Sequence, residues 1–349
     1  MKKIFLLFWA VTLYCSLAYS QGAELSVIPR VDLNSRIPLN SDGDSDFGWH
    51  GTALYTLLEG SVFQEKLSYS ICNHWLSDDP SPLYTNSFHT DDVTWVDWIN
   101  VTYSAGNFEF TVGKDGMAIG GFEQDAYDFD SHIDLNSVFW NNAQTYQWGG
   151  KVAYAPSDDS YLALQYTTSP FGHMLNDNPM SAYALYWNGS VGSYSGIWSV
   201  NMIEYEKDHF LSLLAIGSKV DLGGVEAGID YINRATSTSD FFNQGMTLTG
   251  TLSFALGEKV DCMLKAGYEC EHGEDMFGWG YEWSLGDGIV PDGIDKDYSF
   301  GGCRVYYYPL RDSRDLRLHA SFATNNYADA CVFGVGATYT LNYSLQGRK

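Results

Sequence analysis

The stretch GMTLTGTLSFALGEKVDCMLKAGYEC, residues 245–270, reads as two strands joined by a tight turn. In 245–256, Met246, Leu248, Leu252 and Phe254 alternate with Thr247, Thr249, Thr251 and Ser253. In 259–270, Val260, Cys262, Leu264, Ala266 and Tyr268 alternate with Lys259, Asp261, Lys265 and Glu269. Side chains on a strand point alternately to opposite sides, so each segment has one apolar and one polar face. A strand of about 9–11 residues is long enough to cross a bilayer, and only one of its faces needs to be apolar.

The same beat runs along the chain. Strands are predicted at 26–35, 49–59, 64–76, 92–104, 107–114, 145–155, 160–169, 180–189, 195–206, 209–219, 224–233, 245–256, 259–270, 298–308, 315–323 and 332–343. In 315–323, Leu316, Leu318, Ala320 and Phe322 alternate with Arg317, His319 and Ser321. The segment 209–219 favours neither face. Short turns near 60–63, 105–106, 156–159, 190–194, 220–223, 257–258 and 309–314 alternate with long loops near 36–48, 77–91, 115–144, 170–179, 234–244, 271–297 and 324–331. With a periplasmic N-terminus, the turns fall on one side of a membrane and the loops on the other. The link at Lys207-Asp208 is the exception. A soluble sandwich has no reason to sort its connections this way. The prediction is therefore an all-β fold, a transmembrane antiparallel β-barrel of about 16 strands with short periplasmic turns and long extracellular loops.

The N-terminus fits a secretory signal over 1–20, followed by one domain over 21–349. Lys2 and Lys3 precede the apolar run Ile4 to Leu13, and Ala18-Tyr19-Ser20 supplies small residues for cleavage. Removing this segment leaves 17 basic residues against 43 acidic ones, a net charge near −26. That balance argues against nucleic acid and anionic surfaces as partners. It suits a lumen that favours cations and outer loops that meet divalent ions. Aromatics make up 16% of the chain, as expected of girdles at two membrane interfaces, and also of a secreted sugar-binding β-protein. Five cysteines follow the signal: Cys72, Cys262, Cys270, Cys303 and Cys331. The last four fall on the predicted lipid face. The odd number and the absence of CxxC predict no metal site and no catalytic thiol, while a disulfide between neighbouring strands stays open.

The loop 115–144 is the most informative local segment. It carries Asp115, Glu123, Asp125, Asp128, Asp130 and Asp134, with Gly120-Gly121 and Trp140. A loop of about 30 residues usually has a role. Folded inward it would constrict a wide barrel, and a ledge of carboxylates there would select for cations. The plainer alternative is a solvated external loop. Arg30, Lys151, Arg234, Lys265, Arg304 and Arg317 are predicted to face the lumen. Either they set a field across the pore against the acidic loop, or each pairs with a nearby carboxylate such as Asp32, Glu226 or Asp230.

Other acidic runs carry less. Asp42-Gly43-Asp44-Ser45-Asp46 has the alternating carboxylates of a calcium loop, but Phe47 and Ala53 stand where an EF-hand needs Gly and Glu. Asp292, Asp295 and Asp297 form another cluster. Loose binding of cations that bridge lipopolysaccharide is one reading of these runs, and plain solvation is the other. There is no GxSxG, no HExxH and no phosphate loop, and the eight histidines have no metal-ligand spacing. No catalytic residue and no cofactor is predicted. An enzyme on a barrel rim would need a three-dimensional cluster to which nothing in the sequence points.

The stretches LSYSICNHWLSDDPSPLY, WVDWINVTY, FTVGKDGMAIGGFEQDAYDFDSHIDL and FWNNAQTYQWGGKVAY, all within 64–155, resemble outer-membrane porins of the Bacteroidetes, which are similar to the phosphate-selective porin O/P family. WSVNMIEYEKD and VEAGIDYINRA continue the resemblance more weakly. It implies a 16-stranded trimeric barrel with an inward third loop. This chain departs from that family in charge: bases are few and the third loop is acidic, with Lys114 its only adjacent base. Phosphate selectivity is not carried over.

The sequence therefore predicts an outer-membrane porin that passes small hydrophilic solutes and ions, with a cation preference set by the 115–144 loop. Its expected partners are those solutes, outer-membrane lipid and lipopolysaccharide, and two further copies of itself. An anion- or phosphate-selective porin of the same fold and a secreted glycan-binding protein are the alternatives.

Overall fold

Period-two alternation commits most of the chain to strands, and the computed structural model joins them edge to edge. It describes residues 22–39, 45–49, 51–77, 96–127, 129, 135–137, 139–140, 146–171, 180–235, 242, 245–271, 298–326 and 330–345. In chain order the strands are β1 (Gly22–Pro38), β2 (Asp46–Gly48), β3 (Ala53–Val62), β4 (Leu67–Ser77), β5 (Val96–Ala105), β6 (Phe108–Gly116), β7 (Tyr146–Ser157), β8 (Ser160–Thr168) and β9 (Ser181–Val191). They continue with β10 (Tyr194–Glu206), β11 (His209–Asp221), β12 (Val225–Ala235), β13 (Gly245–Ala255), β14 (Val260–Glu271), β15 (Tyr298–Tyr307), β16 (Leu316–Asn325), β17 (Ala330–Tyr339) and β18 (Leu341–Leu345). β2 is a short run ahead of β3, and β18 continues β17 after a break at Thr340. Sixteen antiparallel strands therefore form the wall.

The wall closes through β1. It pairs with β3 from Gly22↔Ser61 to Arg30↔Ala53 on one edge. On its other edge it pairs with β17 from Arg30↔Thr338 to Pro38↔Ala330 and with β18. Closure leaves no open edge among the described strands, so the backbone polar groups of the wall can pair with one another.

The faces sort as alternation requires. On β14, Leu264 is 48% exposed on the outside while its neighbour Lys265 is buried inside. Outward aliphatic residues, among them Val152, Leu164, Leu185, Val200, Val305 and Val335, form the lipid-facing band. Trp148, Tyr166, Tyr183 and Tyr268 flank it at the extracellular end, and Tyr103, Tyr154, Trp198, Tyr307 and Tyr339 at the periplasmic end. Interfacial rings anchor a barrel at the right depth, which accounts for the high Tyr and Trp content. Cys262, Cys303 and Cys331 share the outward parity of Leu264, Val305 and Val335. None of the five described cysteines is in a disulfide.

One local reading is corrected, and one exception is explained. The turn expected at 60–63 lies three residues later, at 63–66 between β3 and β4. Phe63, Gln64 and Glu65 there all have positive φ, at 53°, 58° and 65°. Gly60, inside the expected turn, is a strand residue paired with Tyr69. A Cβ on Gly60 would meet the Tyr69 phenol ring, so the glycine makes room for a cross-strand ring rather than for a turn. The short Lys207-Asp208 link is held by Glu204, whose carboxylate accepts the Asp208 amide at 2.8 Å and the Ser181 amide at 2.9 Å. The Lys207 ammonium adds a 3.2 Å contact, so this extracellular hairpin stays tight.

Candidate functional site

The loop that follows β6 runs along the inner wall. Its first residues replace wall-to-water hydrogen bonds with wall-to-loop ones. The Ala118 amide donates to Gln165 Oε1 at 2.6 Å, and Gln165 Nε2 donates back to the Gly116 carbonyl at 2.8 Å. Asn201 Nδ2 donates to the Ala118 carbonyl at 2.9 Å. The Gly120 amide donates to Ser199 Oγ at 2.8 Å, and the Gly121 amide to the Ile197 carbonyl at 3.0 Å. A Cβ on Gly120 would lie 2.8–2.9 Å from Ala215 O, Ser199 N and Ile197 O, all of them backbone atoms. Only glycine lets two backbones approach this closely. Gly121 turns the chain with φ +102°, and the next two amides, Phe122 and Glu123, donate to Asp230 at 2.9 and 2.8 Å.

Apolar packing seals this contact. Ile119 and Phe139 from the loop pack with Ile203, Leu211, Leu213, Ala215 and Ile232 of β10–β12, whose side chains point into the barrel. This explains why 209–219 shows two apolar faces: one meets lipid and the other meets the loop. Each Leu or Ile buried in this way contributes about 1.5–3 kcal/mol. Farther round, Leu135 packs on Ala323, Ala330, Val332 and Met263. Phe129 packs near Ile28, Ala53 and Tyr55, and its carbonyl accepts a 3.0 Å bond from Arg317.

The predicted acidic residues divide. Asp115 lies near the end of β6 and accepts hydrogen bonds from Lys151 Nζ at 2.9 Å and Asn100 Nδ2 at 3.1 Å. Glu123 is buried and faces no open water. It meets Lys265 Nζ at 2.5 Å and accepts the Ser137 amide and hydroxyl at 2.9 and 2.6 Å. Lys265 also donates to Asn136 Oδ1 at 2.9 Å, so a single ammonium clamps two parts of the loop. Asp125 is exposed to the lumen. Crowding by the surrounding protein raises its pKa, and the Lys219 and Lys151 ammonium groups pull it back. Desolvation by the surrounding protein likewise raises the Tyr127 phenol, with the Asp125 charge adding to it. Asp128, Asp130 and Asp134 lie outside the described residues.

The predicted bases also divide. Arg30 pairs with Asp32 at 3.0 Å, Lys151 with Asp115 at 2.9 Å, Arg234 with Glu269 at 3.8 Å and Lys265 with Glu123 at 2.5 Å. For these four, local pairing is the better description. Asp230 and Glu226 are engaged elsewhere, Asp230 by loop amides and Glu226 by Lys219 at 2.9 Å. Arg304 and Arg317 both lie over the Tyr306 ring, 4.5 and 4.4 Å from its centre.

Between the first part of the loop and the wall of β3–β9 lies a cavity of about 670 Å³. Six carboxylates line it: Glu59, Glu109, Asp115, Asp125, Asp158 and Asp159. Lys151 is the one basic residue among its described lining, and it is already paired with Asp115. The cavity reaches the turn at 158–160 and so runs toward the periplasmic mouth. Sequence reasoning passed over Glu59, Glu109, Asp158 and Asp159. Glu109 could have been found by alternation, because it stands between the outward Phe108 and Phe110. Among the described residues no group of three or more His, Cys, Asp or Glu side chains could hold a metal ion.

No protein-family model matches the chain, and no curated protein matches it. Solved structures do. An engineered variant of the Rh. blastica porin superposes with a TM-score of 0.59 at 14% identity, over 91% of this chain and 100% of that one. The outer membrane channel DcaP of Acinetobacter baumannii gives 0.58 at 10% identity, over 91% and 97%. OmpT, an outer-membrane protein of Vibrio cholerae, gives 0.58 at 13% identity, over 93% and 99%. At such identities the likeness is one of fold, and the fold is that of an outer-membrane porin barrel.

Proposed function

We propose that this protein is a passive diffusion porin that prefers cations. A wet barrel across the outer membrane passes small hydrophilic solutes and ions without chemistry. The loop 115–144 narrows it, and the carboxylates beside that loop set the sign of the ions that enter. The observation that carries this reading is the cavity lined by six carboxylates and one already neutralised lysine. In a confined lumen an excess of one charge raises the local concentration of the opposite ion. In this reading residues 1–20 are a cleaved signal, and the working unit is a trimer held in lipid and lipopolysaccharide. A trimer form is described for OmpT of Vibrio cholerae. The kinship to porins of the Bacteroidetes and to the O/P family belongs to the same proposal.

The test is a planar-bilayer recording under a KCl gradient. A reversal potential of the sign set by potassium supports the proposal. Selectivity for chloride or phosphate overturns it. The second reading is an anion path, favoured by Arg304 and Arg317 on the opposite wall, and it predicts that reversed sign.

A further inference from the structure

We infer that the acidic cavity is a binding station for organic cations, an ammonium group carried on an apolar or aromatic body. The inference rests on the cation-preferring reading above and names its preferred solute. Carboxylates alone would serve any cation, but this cavity is also walled by aromatic rings: Trp98, Tyr127, Tyr146, Tyr161 and Tyr186. Trp98 stacks on Tyr127 with centres 5.2 Å apart and lies 5.6 Å from Tyr146, which gives a continuous ring surface. Tyr161 meets Tyr186 edge to face at 6.2 Å on another part of the lining. Ring faces attract cations, and the attraction grows where water is scarce.

Two of the protein's own ammonium groups already pair with a carboxylate and an aromatic side chain. Lys151 sits in the cavity against the Asp115 carboxylate at 2.9 Å and donates a hydrogen bond to the Tyr161 phenol oxygen. Lys219 lies 4.4 Å from the centre of the Phe122 ring while pairing with Glu226. A soluble ammonium that enters between Asp125 and the Trp98–Tyr127 surface would find the partners that Lys219 has, a carboxylate and a ring face. A bare metal cation would gain from the carboxylates but leave the rings unused. A neutral sugar would gain from the rings but not from the excess negative charge. The volume of about 670 Å³ falls in the range of small-molecule sites.

The test uses the full-length protein in a planar bilayer carrying potassium current. Benzyltrimethylammonium is added on the periplasmic side, with tetramethylammonium and maltose as comparisons. Benzyltrimethylammonium should block at concentrations at least tenfold below tetramethylammonium, and maltose should not block. Tyr127→Leu should weaken the block three- to tenfold, and Tyr127→Phe, which keeps the ring, should restore it. Asp125→Asn tests the charge independently and should also weaken it. Equal block by the two ammonium ions, block by maltose alone, or no change in Tyr127→Leu and Asp125→Asn overturns the inference. If potassium selectivity persists in such a result, the porin reading stands without it. An anion-selective wild-type pore removes both.

Discussion

Lys265 on β14 and Glu123 in the loop form an ion pair of 2.5 Å, with side chains only 6% and 3% exposed. A charge buried this deeply is tolerable only while its partner stays. Removing one partner of a buried pair costs about 3–5 kcal/mol, because the other is left uncompensated. Lys265→Met should therefore release the loop without unfolding the barrel, which is held by its own strand ladders. Single-channel recordings should show a larger and noisier conductance. The double variant Lys265→Met, Glu123→Leu should recover much of the quiet state. An unchanged conductance in Lys265→Met would show that the clamp does not hold the loop.

Gly120 is a second lever on the same loop, and it works by volume rather than charge. A side chain there meets three backbone atoms that belong to the wall strands β10 and β11 and cannot step aside. Gly120→Val should unseat residues 118–123 and raise conductance, while heat-modifiable gel migration remains normal. Gly250, where a Cβ meets nothing within 4 Å, is the control site, and Gly250→Ala should behave as wild type.

Asp125 gives the pore a pH dependence. The protein packed around it desolvates the carboxylate and lifts its pKa above the ordinary value, and Lys219 and Lys151 oppose this. A raised pKa means that the proton is taken up at higher pH as the solution is acidified, and that charge is then lost from the lumen. Cation preference should begin to fall at a pH above the usual carboxylate range. Asp125→Asn should remove that first step and leave the later loss due to the other carboxylates. Reversal potentials measured from pH 7 downward would read both, and identical profiles would exclude Asp125 as the early group.

The seam where β1 closes on β17 has its own weak point. His319 meets Asp32, and Asp32 also holds Arg30 at 3.0 Å. Gly336 lies opposite, and a Cβ there would collide with the Val31 carbonyl, Asp32 and His319. Gly336→Ala should cost about 1–3 kcal/mol, the usual penalty of overpacking. The expected readout is a lower temperature for loss of the folded, fast-migrating form on gels. No change in that temperature would mean that the seam yields more easily than its packing implies.

Much of the architecture was legible in the sequence because lipid imposes a simple rule on every second residue. The stretch 245–270 obeys it almost without exception, and so did its strands, faces and turn. Reading failed where a residue answered to a neighbour instead of to lipid or water. Gly60 serves the Tyr69 ring, and the true turn uses Phe63, Gln64 and Glu65, none of which signals a turn. Glu123 looked like a pore-lining acid, but its partner Lys265 is distant in sequence and invisible to any local pattern. The ambiguity of 209–219 was itself information: a strand with two apolar faces has something other than water on its inner side.

That inner apolar patch on β10–β12 changes what can be engineered into this barrel. Excising residues 117–140 would not simply give a wider pipe. It would strip the cover from Ile203, Leu211, Leu213 and Ile232 and turn part of the conduit into an oily stripe facing water. Such a stripe would trap passing solutes or fold wrongly during insertion. A wide-bore version therefore has to repaint those inward positions with serine or threonine, as β13 already does at Thr247, Thr249 and Thr251.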